Sequence, residues 1–299
     1  MTSPLLVTGA AGHFGQRVLH FLVETLGVAP ASIIATTRKP EKLSAWSDRG
    51  VTVRTADFDD AASLTQAFQG AGRLLLISTD ATDRPGHRLA QHKRAVEAAA
   101  HAGVSHVVYT SMPAPQGSPV LLAPDHEGTE AALAESALPG WTVLRNHWYF
   151  ENLFHSIPSI LAHGGTWYSA AGDGKLANIS RDDLARAAAV VLAGPYVEKA
   201  VFTLSGAQAL TTAEQAEIIA KALAQPIQVV PVPVEALIQG MVDAGLPEPV
   251  ARLLASFETN TAAGRAGTVT DDFRRITGAD PQLFADWVAA NKDALRGHH

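Results

Sequence analysis

Eight residues near the amino terminus restrict the fold more than any other part of the sequence. They are Thr8-Gly9-Ala10-Ala11-Gly12-His13-Phe14-Gly15, set directly after the apolar run Leu5-Leu6-Val7 and directly before an amphipathic segment. A strand that turns sharply into a helix on glycines at 9, 12 and 15 reads as the first β-α step of a parallel sheet. Gly9 permits the tight turn, Gly12 lets the backbone approach a pyrophosphate at the helix N-terminus, and Gly15 lets the helix close onto the sheet. The expectation is a dinucleotide held against Gly9, Ala10, Ala11, Gly12, His13 and Phe14. The bulky His13 reads either as a pyrophosphate contact or as a solvent-facing side chain.

The first half of the chain continues in the same manner, alternating short apolar runs with amphipathic stretches, as a doubly wound parallel sheet requires. Strands are predicted at 5–8, 33–37, 51–55, 74–78, 106–110 and 142–144, and helices at 12–25, 41–47, 61–68, 87–101 and 127–136. Several strands are apolar on consecutive positions, the mark of burial on both faces. Gly103 is a helix stop signal. Beyond residue 150 the regularity changes: Ser180-Arg181-Asp182-Asp183 predicts a helix start with acids in its first turn, Val201–Gly206 one more strand, and Thr211 with Glu214 a capping box. The expected organisation is an α/β dinucleotide-binding domain over 1–206, with a crossing segment at 150–205, and a small, mostly helical lobe over 207–299 closing a substrate cleft. His298 and His299 are set aside from site reasoning.

Composition limits the chemistry. Hydrophobic residues make up 47% and charged residues 17% of the 299, which is globular composition, and 23 basic against 29 acidic residues leave a net charge of −6. No basic field attracts nucleic acid. Without any cysteine there are no disulfides, thiolate nucleophiles or thiolate metal sites, so redox chemistry needs a bound cofactor. The opening lacks the cationic region of a secretory signal and no apolar stretch approaches a membrane span, so the expected setting is cytoplasmic and non-membrane. The histidine pairs His87/His92 and His101/His106 have no third ligand at metal spacing, and no metal site is expected.

The end of the second predicted strand bears on which dinucleotide binds. An NAD site places an acid there for the ribose 2′-hydroxyl, whereas this chain has Thr37-Arg38-Lys39 with Lys42 behind, which suits a 2′-phosphate and so NADPH. Asp57 and Phe58 read as flanking adenine, and Ser78 and Thr79 as lining the ribose and pyrophosphate; ordinary strand-end turns are the competing reading for both pairs. Carbonyl reduction of the short-chain type needs a tyrosine with a lysine four residues on, and none of Tyr109, Tyr149, Tyr168 and Tyr196 has one. In the place of such a pair stands His126-Glu-Gly-Thr-Glu130, which reads either as a proton relay on one helix face or as an ordinary packed histidine beside a solvated acid.

The segments TGAAGHFG, ATTRKPEKL, VTVRTADFDDAASLTQAFQGAGRLLLIS, YTS, DHEGTEAAL and, most selectively, LRNHWYFEN with the later AAGDGK resemble the NmrA-like branch of atypical short-chain dehydrogenases. Within that branch the likeness is greatest to its bacterial NADPH-dependent quinone reductases, and it runs over nearly the whole chain to DDFRRITGADP. The resemblance implies that Gly9 through Phe14 and Arg38 hold the cofactor and that Leu144-Arg145-Asn146 lies along the nicotinamide. It further implies that Asn146 stands at the reacting centre, with Trp148 and Tyr149 on the first turn of a following helix. An Asn that only caps that helix and aromatics that only anchor the lobes are the competing readings.

The expected reaction is direct hydride transfer from NADPH to a small quinone-like molecule. A quinone is electrophilic and its product is stabilised by aromatisation, so no strong general acid is required, and Asn146 and Tyr149 suffice as hydrogen-bond donors. The branch also contains sensors that bind NADP(H) without turnover and reductases of bulky dyes or enones, and both stay open as alternatives, as does the choice between monomer and homodimer.

Overall fold

The computed structural model describes residues 3–196 and 198–297; His298 and His299 lie outside the described residues. The chain begins with β1 (Leu5–Val7), α1 (His13–His20), β2 (Ile33–Thr37), α2 (Ser44–Ser47), β3 (Thr52–Thr55), α3 (Ala61–Phe68), β4 (Arg73–Leu76), α4 (His87–His101), β5 (His106–Ser111), α5 (Ala123–Glu135) and β6 (Gly140–Asn146). After α6 (Leu153–Ala162), β7 (Thr166–Ser169), β8 (Lys175–Leu176) and α7 (Arg181–Ala193), β9 (Ala200–Leu204) completes a seven-stranded sheet of order β3-β2-β1-β4-β5-β6-β9. The pairings from β3 through β6 are all parallel. This is a Rossmann-type α/β fold, and its strand order reverses direction between β1 and β4.

The sheet forms because its strands are apolar on both faces: β1, β2 and β5 are buried at every position. One continuous core joins Leu6, Leu74, Val107 and Val143 of the strands to Leu64 and Phe68 of α3, Val96 of α4 and Leu133 of α5. Because β1 to β6 run parallel, their carboxyl ends meet on one edge, and the turns that leave them are the natural place for a ligand.

The chain divides into two compact units. The first gathers the segment up to Met112, Asp125–Asn146 and Asp182–Thr203; the second gathers Pro113–Pro124, His147–Arg181 and the chain from Leu204 onward. The second unit thus begins its last segment close to residue 206, and it also takes in two earlier pieces of chain. It adds β10 (Leu210–Thr211), α8 (Thr212–Leu223), β11 (Gln228–Pro231), α9 (Val234–Asp243), α10 (Glu248–Ala262), α11 (Asp272–Thr277), α12 (Phe284–Ala290) and α13 (Lys292–Leu295). Its core packs Phe150, Leu153 and Ile157 with Ile219, Phe284 and Trp287. The capping box on α8 is present: Thr211 Oγ1 accepts from Glu214 N at 3.1 Å, and Glu214 Oε2 accepts from Thr211 N at 2.7 Å.

Candidate functional site

The glycine turn has a steric reason at Gly9 and at Gly15. Gly9 adopts φ +57°, the left-handed region, and Gly12 is an extended N-cap that contributes no side-chain cap. Gly15 is the close-approach residue, since a Cβ there would stand 2.6 Å from both Ala10 Cα and Gly9 O. The loop is braced by Ala10 N donating to Thr36 O at 3.0 Å and by Gly12 N donating to Gly9 O at 3.0 Å. The first-turn N–H groups of α1 have no intrahelical acceptor, and with the helix dipole they make an anion site. His13 is exposed while Phe14 is buried, so Phe14 offers only its backbone to this site.

At the end of β2, Thr37 Oγ1 accepts from Lys39 N at 3.1 Å and turns the chain outward. Arg38, Lys39 and Lys42 are exposed, and none of them has an ion pair or side-chain hydrogen bond among the described residues. After β3, Asp57 is half-buried and its Oδ1 accepts from Asp59 N at 3.0 Å. Phe58 turns inward. Its ring lies in the sheet core, 9% exposed, because the aromatic gains more from burial against α3 and α4 than from standing at the edge.

The turn after β4 is held along its whole length. Three consecutive N–H groups donate to side chains from three different parts of the chain: Ile77 to Thr8 Oγ1 at 3.0 Å, Ser78 to Thr110 Oγ1 at 2.9 Å and Thr79 to His92 Nε2 at 2.9 Å. Since these donors are spent on the protein, the turn presents hydroxyls and carbonyls. Hydroxyls donate as well as accept, so the turn offers groups that suit both ribose hydroxyls and phosphate oxygens.

On β6, Leu144 is fully buried and Arg145 forms a two-pronged ion pair with Glu130, Nε to Oε1 at 3.0 Å and Nη2 to Oε2 at 2.6 Å. Asn146 ends the strand, 6% exposed, and neither its Nδ2 nor its Oδ1 has a partner among the described residues. A buried unpaired amide costs about 1–3 kcal/mol, so neither amide atom of Asn146 stabilises the fold through a hydrogen bond.

The His126–Glu130 relay is not formed. Glu130 is drawn to Arg145 and also accepts from Ser111 Oγ at 2.6 Å. His126 lies against other partners, with Arg88 Nη2 donating to its Nε2 at 3.1 Å and its Nδ1 bonded to Tyr109 Oη at 2.9 Å. Arginine only donates, so the ring proton is on Nδ1 and is given to the tyrosine. Burial, and then the positive charge of Arg88, hold the imidazole pKa well below its usual range. With both nitrogens engaged, His126 is a neutral structural group.

In the second unit, Tyr149 precedes a short 3-10 turn at Phe150–Asn152, and α6 starts only at Leu153. Trp148 and Tyr149 therefore stand in extended chain ahead of the expected helix, Trp148 packed at 4.1 Å between ring centroids on Phe257 and Tyr149 under the Arg181 guanidinium at 5.5 Å. Asp182, predicted as a first-turn acid of α7, fills that place and also pairs with Arg17 of α1 at 2.6 Å.

Two clusters were not anticipated from the sequence. His87, at the start of α4, bonds Asp59 Oδ1 through Nε2 at 2.8 Å and Asp83 Oδ1 through Nδ1 at 2.5 Å, tying the turns after β3 and β4 together. Arg88 and His92 form the second cluster, and their i, i+4 spacing was the available signal.

A turn built on three glycines at the switch point of a parallel sheet, with cations at the end of β2, defines the class of NADP-type α/β binding proteins. The model of the NmrA-like family matches residues 1–273, and the chain belongs to that family. It is 38% identical over 286 residues to quinone oxidoreductase 2 of Escherichia coli (strain K12), a match covering 95% of this chain and 97% of that one. The crystal structure of the NADPH-dependent quinone oxidoreductase from Escherichia coli complexed with NADPH superposes with a TM-score of 0.90 at 35% identity, over 95% of this chain and 98% of that one. The Citrobacter sp. triphenylmethane reductase complexed with NADP(H) gives a TM-score of 0.87 at 33% identity, over 96% and 99%.

Proposed function

We propose that this protein is an NADPH-dependent oxidoreductase whose acceptor is a quinone or a similar conjugated small molecule. The observation that carries the reading is the pairing of the open N-terminus of α1 with Arg38, Lys39 and Lys42, three cations without acidic partners where an NAD site would hold a carboxylate. The residues fit this cofactor: a side chain at 15 would collide with the turn, and Asn146 keeps both amide atoms unpaired. The relatives that are themselves described as quinone oxidoreductase and triphenylmethane reductase support the acceptor class.

In this reading the backbone of residues 9–14 binds the pyrophosphate, Arg38 with Lys42 the 2′-phosphate, Asp57 the adenine side, and Ser78 and Thr79 the ribose. Leu144 and Arg145 contribute backbone along the nicotinamide. When bound, NADPH supplies a hydride. Asn146 and Tyr149 act as hydrogen-bond donors toward the acceptor oxygen, and the proton comes from solvent, since His126 is committed to Arg88 and Tyr109. The setting is cytoplasmic, and among the described residues no helix is long and apolar enough to cross a membrane.

Oxidation of NADPH and NADH with and without a simple benzoquinone, on wild type and Arg38→Ala, tests the proposal. Loss of a charged hydrogen bond to the 2′-phosphate, worth about 1.5–3 kcal/mol, predicts an NADPH preference reduced by about tenfold or more with NADH turnover unchanged. Tight NADPH binding with no oxidation by any quinone would replace the reductase with a sensor of the NADP state.

A further inference from the structure

We propose that His92, locked in one tautomer by Thr129, is a positioning residue that fixes the Thr79 peptide and through it the β4 turn of the cofactor cradle. The inference rests on the reading of that edge as an NADPH site. Its basis is a hydrogen-bond chain whose direction is forced at both ends. Thr79 N–H can only donate, and it donates to His92 Nε2 at 2.9 Å. His92 must then carry its proton on Nδ1, which lies 2.9 Å from Thr129 Oγ1. Thr129 can accept that proton because its own hydroxyl hydrogen is given to the backbone oxygen of Asp125 at 2.6 Å. The chain starts at a backbone N–H and ends at a backbone carbonyl, so every hydrogen in between has a single place.

Protonation would break it, and the surroundings oppose protonation. His92 and Thr129 are both fully buried, and burial, followed by the charge of Arg88, lowers the imidazole pKa to about 3. The other groups around the ring are neutral or directed elsewhere: Tyr109 Oη stands 3.4 Å from Nδ1, His126 is a neutral donor to that tyrosine, and Glu130 is engaged by Arg145. Arg88, one helical turn before His92 on α4, grips the other side of the same residue, its Nε donating to Thr79 O at 2.6 Å. Both backbone groups of Thr79 are thus clamped by α4. Together with Thr8 on Ile77 and Thr110 on Ser78, they make a turn whose peptide planes cannot rotate independently.

A residue that merely supports the core would lower stability when replaced, without changing cofactor affinity in the molecules that remain folded. His92→Leu removes the acceptor, whereas His92→Gln keeps an amide that can accept from Thr79 and donate to Thr129. The expected result is that NADPH binds His92→Leu about tenfold more weakly, while kcat at saturating NADPH stays within about twofold. His92→Gln is expected to bind NADPH within about threefold of wild type. Nitrogen-15 NMR of the wild-type protein is expected to show His92 with a protonated Nδ1 and an unprotonated Nε2 at neutral pH. If His92→Leu does not fold, Thr129→Val, nearly isosteric, takes its place and is expected to weaken NADPH by at least about threefold. A protonated Nε2, or unchanged NADPH affinity in the folded variant, overturns the inference and leaves the reductase reading intact. A wild-type protein that binds no NADPH overturns the site reading, and with it the positioning role, whatever the tautomer.

Discussion

Gly15 shows how one hydrogen in place of a methyl group sets the site. A Cβ at that position would overlap the backbone of Gly9 and Ala10, and backbone cannot swing away as a side chain can. Gly15→Ala is expected to cost about 1–3 kcal/mol of stability and to weaken NADPH, as thermal melts and cofactor titration would show. Asn146 predicts the opposite sign. Replacing it with Ala removes two buried, unpaired polar atoms, so Asn146→Ala is expected to melt at or above the wild-type temperature while losing quinone turnover. If that variant kept full turnover, Asn146 would have no role in the reaction. The glycine turn and the cation at 38 were readable in the sequence because glycine spacing and fixed charge are local, whereas Asn146 was reached only through the family resemblance and its unpaired amide is visible only in the fold. The fates of Phe58 and His126 were not legible, because a strand-end aromatic and an i, i+4 His/Glu pair look the same whether they face ligand or core. Burial against α3 and α4 decided the first, and Arg88 with Tyr109 decided the second.

Among the elements, α3 and α4 begin and end where the sequence places them, with Asp60 capping α3 and Gly103 at φ +74° just past α4. Their caps are local signals, carried within one turn of chain. Other boundaries depend on neighbours. α5 starts at Ala123, four residues ahead of the expected Glu127, since Pro124 is tolerated in a first turn. The π turn at Phe21–Thr25 interrupts a helix that reads as continuous over 12–25. The two-residue β8 and β10 exist only as each other's partner. One contact between elements gives a pH-dependent expectation. Hydrogen bonds to Asp83 and Asp59 raise the His87 pKa, and bonding to His87 lowers those of both carboxylates. A histidine raised on folding stabilises below its unfolded pKa and loses that contribution as pH climbs through the folded value. The aspartates lose theirs as pH falls through their lowered values. The tie between the β3 and β4 turns is therefore firm in the mildly acidic to neutral range and loosens on either side. Amide exchange at 57–60 and 79–86 is expected to rise on the alkaline side more in wild type than in His87→Gln.

For the whole molecule, the testable quantity is linkage between cofactor and fold. If the open α1 terminus and its cations bind NADPH, free NADPH at about 100 times Kd should add about 2.7 kcal/mol to stability, with NADH at equal concentration adding much less. Differential scanning calorimetry with each nucleotide would measure this, and equal stabilisation by both would refute the 2′-phosphate role of Arg38.

By itself the sequence determined the parallel sheet, the glycine turn and the cations at the end of β2, because strand periodicity, steric tolerance and fixed charge are properties of short segments. The tertiary structure alone decided which distant segments join each compact unit, that Glu130 belongs to Arg145, and that the His92 proton sits on Nδ1. Those outcomes depend on burial and on the directions of hydrogen bonds among residues far apart in the chain, and no local pattern encodes either.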